Sequence, residues 1–426
     1  MADPSTSPPL TRASVVAAHD LIKPYVHHTP TLTNATLTRL ASTPRTEAEL
    51  AGSEWEEKKK NKDGSTTTSG GAKPIMRLWF KCENLQRIGA FKVRGAFHAI
   101  ERLKREPGWE AGGGVNRGVV THSSGNHAQA LALAARTNGI PAYIVMPSIS
   151  PPPKIAATRG YGANVIFSGS TSVEREAVCA QVIQDTGARL VPPYDHPDIV
   201  LGQGTLGLEL QEDAARMMAE AEKEASTRSP PPADGSGSAK TTTPDGLMQR
   251  GGGKKGLDII LAPCGGGGML SGVALSCEGT GIRVFGCEPS HEGADDAKRG
   301  FESPDGRRVE VVKTLTVADG LRTPVGAVPW SVIRERGLVE GFYSVSEVEI
   351  KRALRLVLER FKMVVEPSAC VPLAVALYNE DFRARIQREY GDGGANVGVV
   401  FSGGNLDLEV LAKIVMEGKT ETEKKE

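Results

Sequence analysis

The segment LDIILAPCGGGGMLSGVALSCEG, residues 257–279, passes from an apolar run through four consecutive glycines into small and apolar residues. LDIILAPC reads as a strand buried on both faces and MLSGVALSCEG as a helix, so Gly265, Gly266, Gly267 and Gly268 form the turn between them. Each ordered glycine costs roughly 0.5–1 kcal/mol relative to alanine, so four cost about 2–4 kcal/mol unless the bare backbone is used. An anion would use it. Backbone N–H groups at a helix start attract negative charge, and missing side chains let a phosphate come close. No Lys-Ser or Lys-Thr follows, so this is not the nucleotide P-loop.

The same alternation recurs on both sides of this segment. GVVTHSS (118–124) leads into NHAQALALAARTNG, PAYIVMP (141–147) into PKIAATRGYG, and ANVIFSG (163–169) into VEREAVCAQVIQDTG. ARLVPPY (188–194), IRVFGCEP (282–289) and NVGVVFSGG (396–404) are further apolar runs. Strands alternating with helices predict an α/β fold with mainly parallel sheets and functional groups at the carboxyl ends of strands. No repeat of solenoid period is visible. Residues 41–73 and 222–256 are instead rich in Ser, Thr, Pro, Gly and charge, and are expected to be flexible insertions.

With 426 residues the chain has room for two or three domains. Lys plus Arg and Asp plus Glu each total 51, so no global field favours nucleic acid or an anionic membrane, and a small-molecule partner is expected. The six cysteines form no CxxC pair, which points to a reducing compartment. The first residues lack a signal-peptide apolar core and no run is long enough to span a membrane, so the cytoplasm is expected.

GQGTLG, residues 202–207, matches the dinucleotide fingerprint letter for letter. That fingerprint needs a strand before it and an acidic ribose ligand about 20 residues on, at the end of a second strand. Here LGLELQEDAARMMAEAEKEA continues as helix, which argues against a nicotinamide cofactor. In KCENLQRIGAFKVRGAFHAIERL (81–103), Lys92 stands between Phe91 and Val93. An amine in apolar surroundings loses basicity and can serve as nucleophile or base, although a helix-terminal lysine can equally snorkel to solvent.

AFKVRGA followed downstream by a tetraglycine turn resembles the fold-type II pyridoxal-phosphate enzymes, in particular the serine/threonine dehydratase and serine racemase group. Five segments match in order between residues 75 and 411, residues 222–256 excepted. The resemblance implies a tryptophan-synthase-β-like fold with pyridoxal 5'-phosphate as cofactor. Residues 1–115 and 198–426 would form a large cofactor domain and residues 116–197 a small substrate-carboxylate domain, in a homodimer. By it Lys92 forms the Schiff base, Phe91 packs beside the ring, and Gly265 to Gly268 with Met269 hold the phosphate.

In THSSGNHAQALALAA (121–135), the resemblance makes Ser123, Ser124, Gly125, Asn126 and His127 the substrate-carboxylate loop, with Asn126 also near the cofactor's phenolic oxygen. Ser124 would be a second acid/base opposite Lys92, as in the racemases. Read alone, the segment could equally be a helix cap. Ser402, in VVFSGGN, would bond the pyridine nitrogen. GCEPSHEGADDAKRG (286–300) resembles a shorter metal-binding segment, so Glu288, the Ala294 carbonyl and Asp296 would bind Mg2+ or Ca2+, here on a loop two residues longer. Two departures bear on activity. Ala90 replaces the serine usual in racemases, and Tyr194 replaces their asparagine and looks more like the dehydratases. The expected activity is therefore α,β-elimination from L-serine or L-threonine, giving ammonia and pyruvate or 2-oxobutanoate, with serine racemase or 3-hydroxyaspartate dehydratase as the alternatives.

Overall fold

The computed structural model describes residues 3–51, 53–58, 70–123, 125–227 and 256–422. Ten strands form two sheets among these residues. The larger joins β1 (Thr31–Thr33), β2 (Met76–Cys82), β10 (Ala395–Phe401), β7 (Ile259–Pro263), β8 (Arg283–Pro289) and β9 (Gly341–Val345) in that order. Only β1 runs antiparallel to its neighbour; the rest are parallel. The smaller sheet, in the order β5 (Asn164–Ser168), β4 (Ala142–Pro147), β3 (Val119–His122) and β6 (Arg189–Leu190), is parallel throughout.

This is the α/β architecture the apolar rhythm predicts. The rhythm misses β2, MRLWFKC, because charged residues interrupt it. All seven residues of β2 are nevertheless buried. Lys81 is tolerated there because its Nζ donates to Glu209 at 2.7 Å and to the Thr29 carbonyl at 2.6 Å, so the charge is paired rather than stranded. Arg94, also fully buried, completes this network through Glu83 and Glu209, each at 2.7 Å, and ties the helix Lys92–Lys104 to its surroundings.

GQGTLG lies wholly inside the 31-residue helix Pro197–Thr227. Its glycines are packing sites. A Cβ on Gly204 would fall 2.5 Å from the Gly272 carbonyl oxygen, and one on Gly202 would fall 2.8 Å from that of Arg94. The helix thus lies directly against Gly268–Cys277 and Lys92–Lys104, and GQGTLG forms no dinucleotide turn.

The expected flexible insertions need correction. Within residues 41–73, Glu47–Leu50 and Glu54–Lys58 are helical, and Leu50 and Trp55 are buried. Buried apolar side chains and a capping box at Thr46 outweigh the polar composition. The segment is also tied down by the Arg383 guanidinium, which donates to the carbonyls of Ala41 at 2.6 Å and Ala72 at 3.0 Å. Residues 222–227 complete the long helix; residues 59–69 and 228–255 lie outside the described residues.

Candidate active site

Four loops converge at the carboxyl ends of strands. The loop before Lys92 is zipped to the turn after β10: the Phe91 N–H donates to the Ser402 carbonyl at 3.1 Å, Ala90 bridges Gly403, and the Gly404 N–H donates to the Gly89 carbonyl at 2.9 Å. Ser402 is buried here. Lys92 opens its helix with Nζ donating to the Pro193 carbonyl at 2.7 Å, 5.2 Å from the Phe91 ring centroid and 5.9 Å from that of Tyr194. Burial disfavours the ammonium and lowers its pKa to about 8, against the opposing pull of Glu366.

The tetraglycine turn follows β7. Gly267, at φ +82°, caps the helix Gly268–Cys277 without a side chain, so no side-chain acceptor satisfies the first-turn N–H groups. Tyr194 lies against this turn: a Cβ on Gly266 would fall 2.3 Å from the ring's Cγ, and one on Gly268 would fall 3.1 Å from the Tyr194 Cβ. Gly265 abuts the Gly320 carbonyl, 3.0 Å from where its Cβ would be, and Met269 is buried in the first turn.

Asn126 opens the helix Asn126–Thr137. Its Nδ2 donates to both Glu366 oxygens, at 3.1 and 3.2 Å, and its Oδ1 accepts from Asn405 at 2.8 Å. Burial, reinforced by the nearby Asp319 charge, raises the Glu366 pKa to about 7. Glu366 and Asn405 escape a reading of the sequence by motif. Asn405 does lie in the SGGN segment, whereas Glu366 looks like an ordinary residue before a helix-opening proline. The Ser123 N–H is taken by the Val145 carbonyl at 3.1 Å, and beside Gly125 the space where a Cβ would point is open. Ser124 lies outside the described residues. The His127 imidazole is in the core, with Nε2 3.1 Å from the Val191 carbonyl and a pKa lowered to about 3, chiefly by burial.

The candidate metal residues lie behind the tetraglycine turn, where the Asp296 Oδ2 accepts the Val325 N–H at 3.3 Å. Glu288 accepts the N–H groups of Ala297 and Lys298, at 3.1 and 2.8 Å, and so caps the helix Asp296–Glu302. Burial, together with the Asp296 charge, raises its pKa well above the usual carboxylate range. Burial likewise raises Asp296 to about 7, and its Oδ1 has no hydrogen-bond partner. Ala294 is buried beside them. The loop contains the turn His291–Gly293, with Glu292 at φ +49°. Among the described residues no group of three or more metal-ligating side chains assembles.

A family model described as "Pyridoxal-phosphate dependent enzyme" matches residues 69–403. The chain belongs to this family. It is a fold-type II pyridoxal-phosphate enzyme, and the residues above fit the cofactor: uncapped N–H donors on a bare turn suit a phosphate, and an enclosed amine of lowered basicity suits an aldehyde. A serine racemase of Dictyostelium discoideum is 34% identical over 408 residues, covering 95% of this chain and 98% of its own. An L-threo-3-hydroxyaspartate ammonia-lyase of Pseudomonas sp is 37% identical over 342 residues, covering 80% of this chain and 88% of its own. The solved structure of maize serine racemase superposes with a TM-score of 0.70 at 30% identity, covering 97% of this chain and 99% of that one.

Proposed function

We propose that this pyridoxal-phosphate enzyme is an ammonia-lyase that eliminates water from a small β-hydroxy amino acid, L-serine or L-threonine, to give pyruvate or 2-oxobutanoate and ammonia. The observation that carries this reading is Tyr194, an aromatic ring against the tetraglycine turn and 5.9 Å from the Lys92 amine. The bound cofactor supplies an electron sink for the carbanion at Cα. Lys92, neutral in a substantial fraction near its pKa of about 8, takes the Cα proton. The Cβ–O bond then breaks as the leaving oxygen takes up a proton, balancing the one Lys92 took from Cα, so that water departs; the released enamine adds water to give the oxo acid and ammonia. The substrate carboxylate is held at the start of the helix Asn126–Thr137 by Ser123, Ser124, Gly125 and the backbone of His127, a helix N-terminus favouring negative charge.

Phe91 would lie beside the cofactor ring, Ser402 would meet its nitrogen, Asn126 would lie near its phenolic oxygen, and Gly265 to Gly268 with Met269 would hold its phosphate. Glu288, Ala294 and Asp296 remain the candidate ligands for Mg2+ or Ca2+. A cytoplasmic homodimer belongs to the same reading; the six unpaired cysteines are consistent with a reducing compartment, and no helix among the described residues is long and apolar enough to cross a membrane.

The similarity to serine racemases and to 3-hydroxyaspartate ammonia-lyases favours a second reading, in which racemisation or elimination from 3-hydroxyaspartate dominates. Incubating the holoenzyme with L-serine, D-serine, L-threonine and L-threo-3-hydroxyaspartate, and measuring oxo acid and enantiomer composition together, separates them. Faster interconversion of the serine enantiomers than pyruvate formation, or turnover confined to 3-hydroxyaspartate, would overturn the first reading. The variant Ser124→Ala refines the outcome: it should remove interconversion while sparing most elimination.

A further inference from the structure

Two stretches distant in sequence meet beside the tetraglycine turn, and one carboxylate joins them. The Asp195 Oδ2 accepts the Ala327 N–H at 3.1 Å, and its Oδ1 accepts the Val328 N–H at 2.8 Å. One residue earlier, Gly326 donates its N–H to the Gly266 carbonyl at 3.1 Å. The contact is close: a Cβ on Gly326 would fall 2.5 Å from the Asp195 carboxylate carbon. A Cβ on Gly267 would in turn fall 2.8 Å from Pro329 and 2.9 Å from Val325. The segment 325–329, which opens the helix Ala327–Trp330, therefore supports the tetraglycine backbone from one side. Tyr194, adjacent to Asp195, covers it from another, and Pro193 receives the Lys92 amine.

We infer that Asp195 is a positioning residue for the cofactor's phosphate: by holding segment 193–195 against the helix start at 326–328, it fixes the shape of the anion cradle. The inference rests on the assignment of the tetraglycine turn to that phosphate. A carboxylate suits the task because its two oxygens accept two backbone N–H groups at once, and such charge-assisted bonds are shorter and stronger than neutral ones. Asparagine offers one acceptor and would turn its own N–H groups toward a backbone donor. Tyr194 and Lys92 touch the site directly. Asp195 acts through its neighbours.

The test compares pyridoxal phosphate with pyridoxal, which lacks the phosphate. Dissociation constants of both are measured on cofactor-depleted full-length protein by equilibrium dialysis, alongside the thermal midpoint. Asp195→Asn should weaken pyridoxal phosphate about tenfold or more and pyridoxal by less than about threefold. Gly326→Ala pushes on the same carboxylate from the opposite side. It should show the same selective loss, which keeps the inference testable if Asp195→Asn folds poorly. If both variants weaken the two ligands equally, Asp195 merely stabilises the fold and the inference falls. It falls equally if both keep wild-type affinity for pyridoxal phosphate. If the wild-type protein itself fails to prefer pyridoxal phosphate over pyridoxal, the phosphate assignment of the tetraglycine turn fails first and takes the inference with it.

Discussion

Two glycine-rich stretches, residues 265–268 and residues 202–207, have opposite uses. In the first, glycines form a strand-to-helix turn, one at φ +82°, and leave backbone N–H groups without side-chain acceptors. In the second they sit inside a helix, and their missing side chains let it approach the backbones of two neighbours, as at Gly204 against Gly272. In the first stretch Gly320, Tyr194 and Pro329 fill the side-chain space and the backbone donors are what is left open, whereas the second makes room for other helices. What separates them is the element that carries them, since a helix interior satisfies its own backbone donors and a helix start does not.

Substituting within each stretch should separate the two uses. The largest effect belongs to Gly266→Asp, which brings a carboxylate toward the phosphate and against the Tyr194 ring. Like charges about 4 Å apart repel by about 4 kcal/mol at an effective dielectric of 20, so cofactor affinity should fall about a thousandfold. Equilibrium dialysis measures this, and circular dichroism should show the fold retained. Gly204→Val should do the reverse. Its Cβ meets a backbone carbonyl that cannot swing away, so a urea midpoint should report a loss of about 1–3 kcal/mol while the folded protein still binds cofactor. Cofactor loss from Gly204→Val at unchanged stability would break the contrast.

A smaller effect is expected in the pH profile. Lys92 has a pKa of about 8 where an ordinary lysine has 10.5, so its amine loses its proton as pH rises through about 8. The rate at which borohydride fixes pyridoxal phosphate covalently on Lys92 should climb over that range. Between the two values the unfolded chain binds more protons than the folded one, so the stability of the cofactor-free protein should also rise with pH there. Glu366→Gln removes a charge that favours the ammonium and should move the inflection lower. Trapping on a different lysine would remove Lys92 from the site. The smallest effect should come from replacing residues 228–255 with a Gly/Ser chain of equal length; activity should stay within about twofold, since polar, proline-rich composition offers little to bury. Deleting residues 43–71 should instead destabilise the protein, because Leu50 and Trp55 leave the core.

The tetraglycine turn was legible because it is a local pattern, an apolar strand, a break, then a helix, whereas Lys92 and Ser402 were singled out by the family resemblance of the short segments that carry them. Glu366 was not, because its importance depends on Asn126, 240 residues earlier in the chain. For the same reason Asp195 was not legible, its partners lying 132 and 133 residues away. The strand β2 was hidden by Arg77 and Lys81, since the sequence does not show that Glu209 neutralises the buried ammonium.

The order of apolar runs and helical patterns determined the α/β class, and the run of glycines after a strand determined where an anion could sit. Both follow from backbone geometry over a few residues. Only the tertiary structure decided which charges are paired, which polar segment is buried, and which carboxylates meet the cradle and the amine. Those facts depend on distances between residues far apart in the chain, which no local periodicity carries.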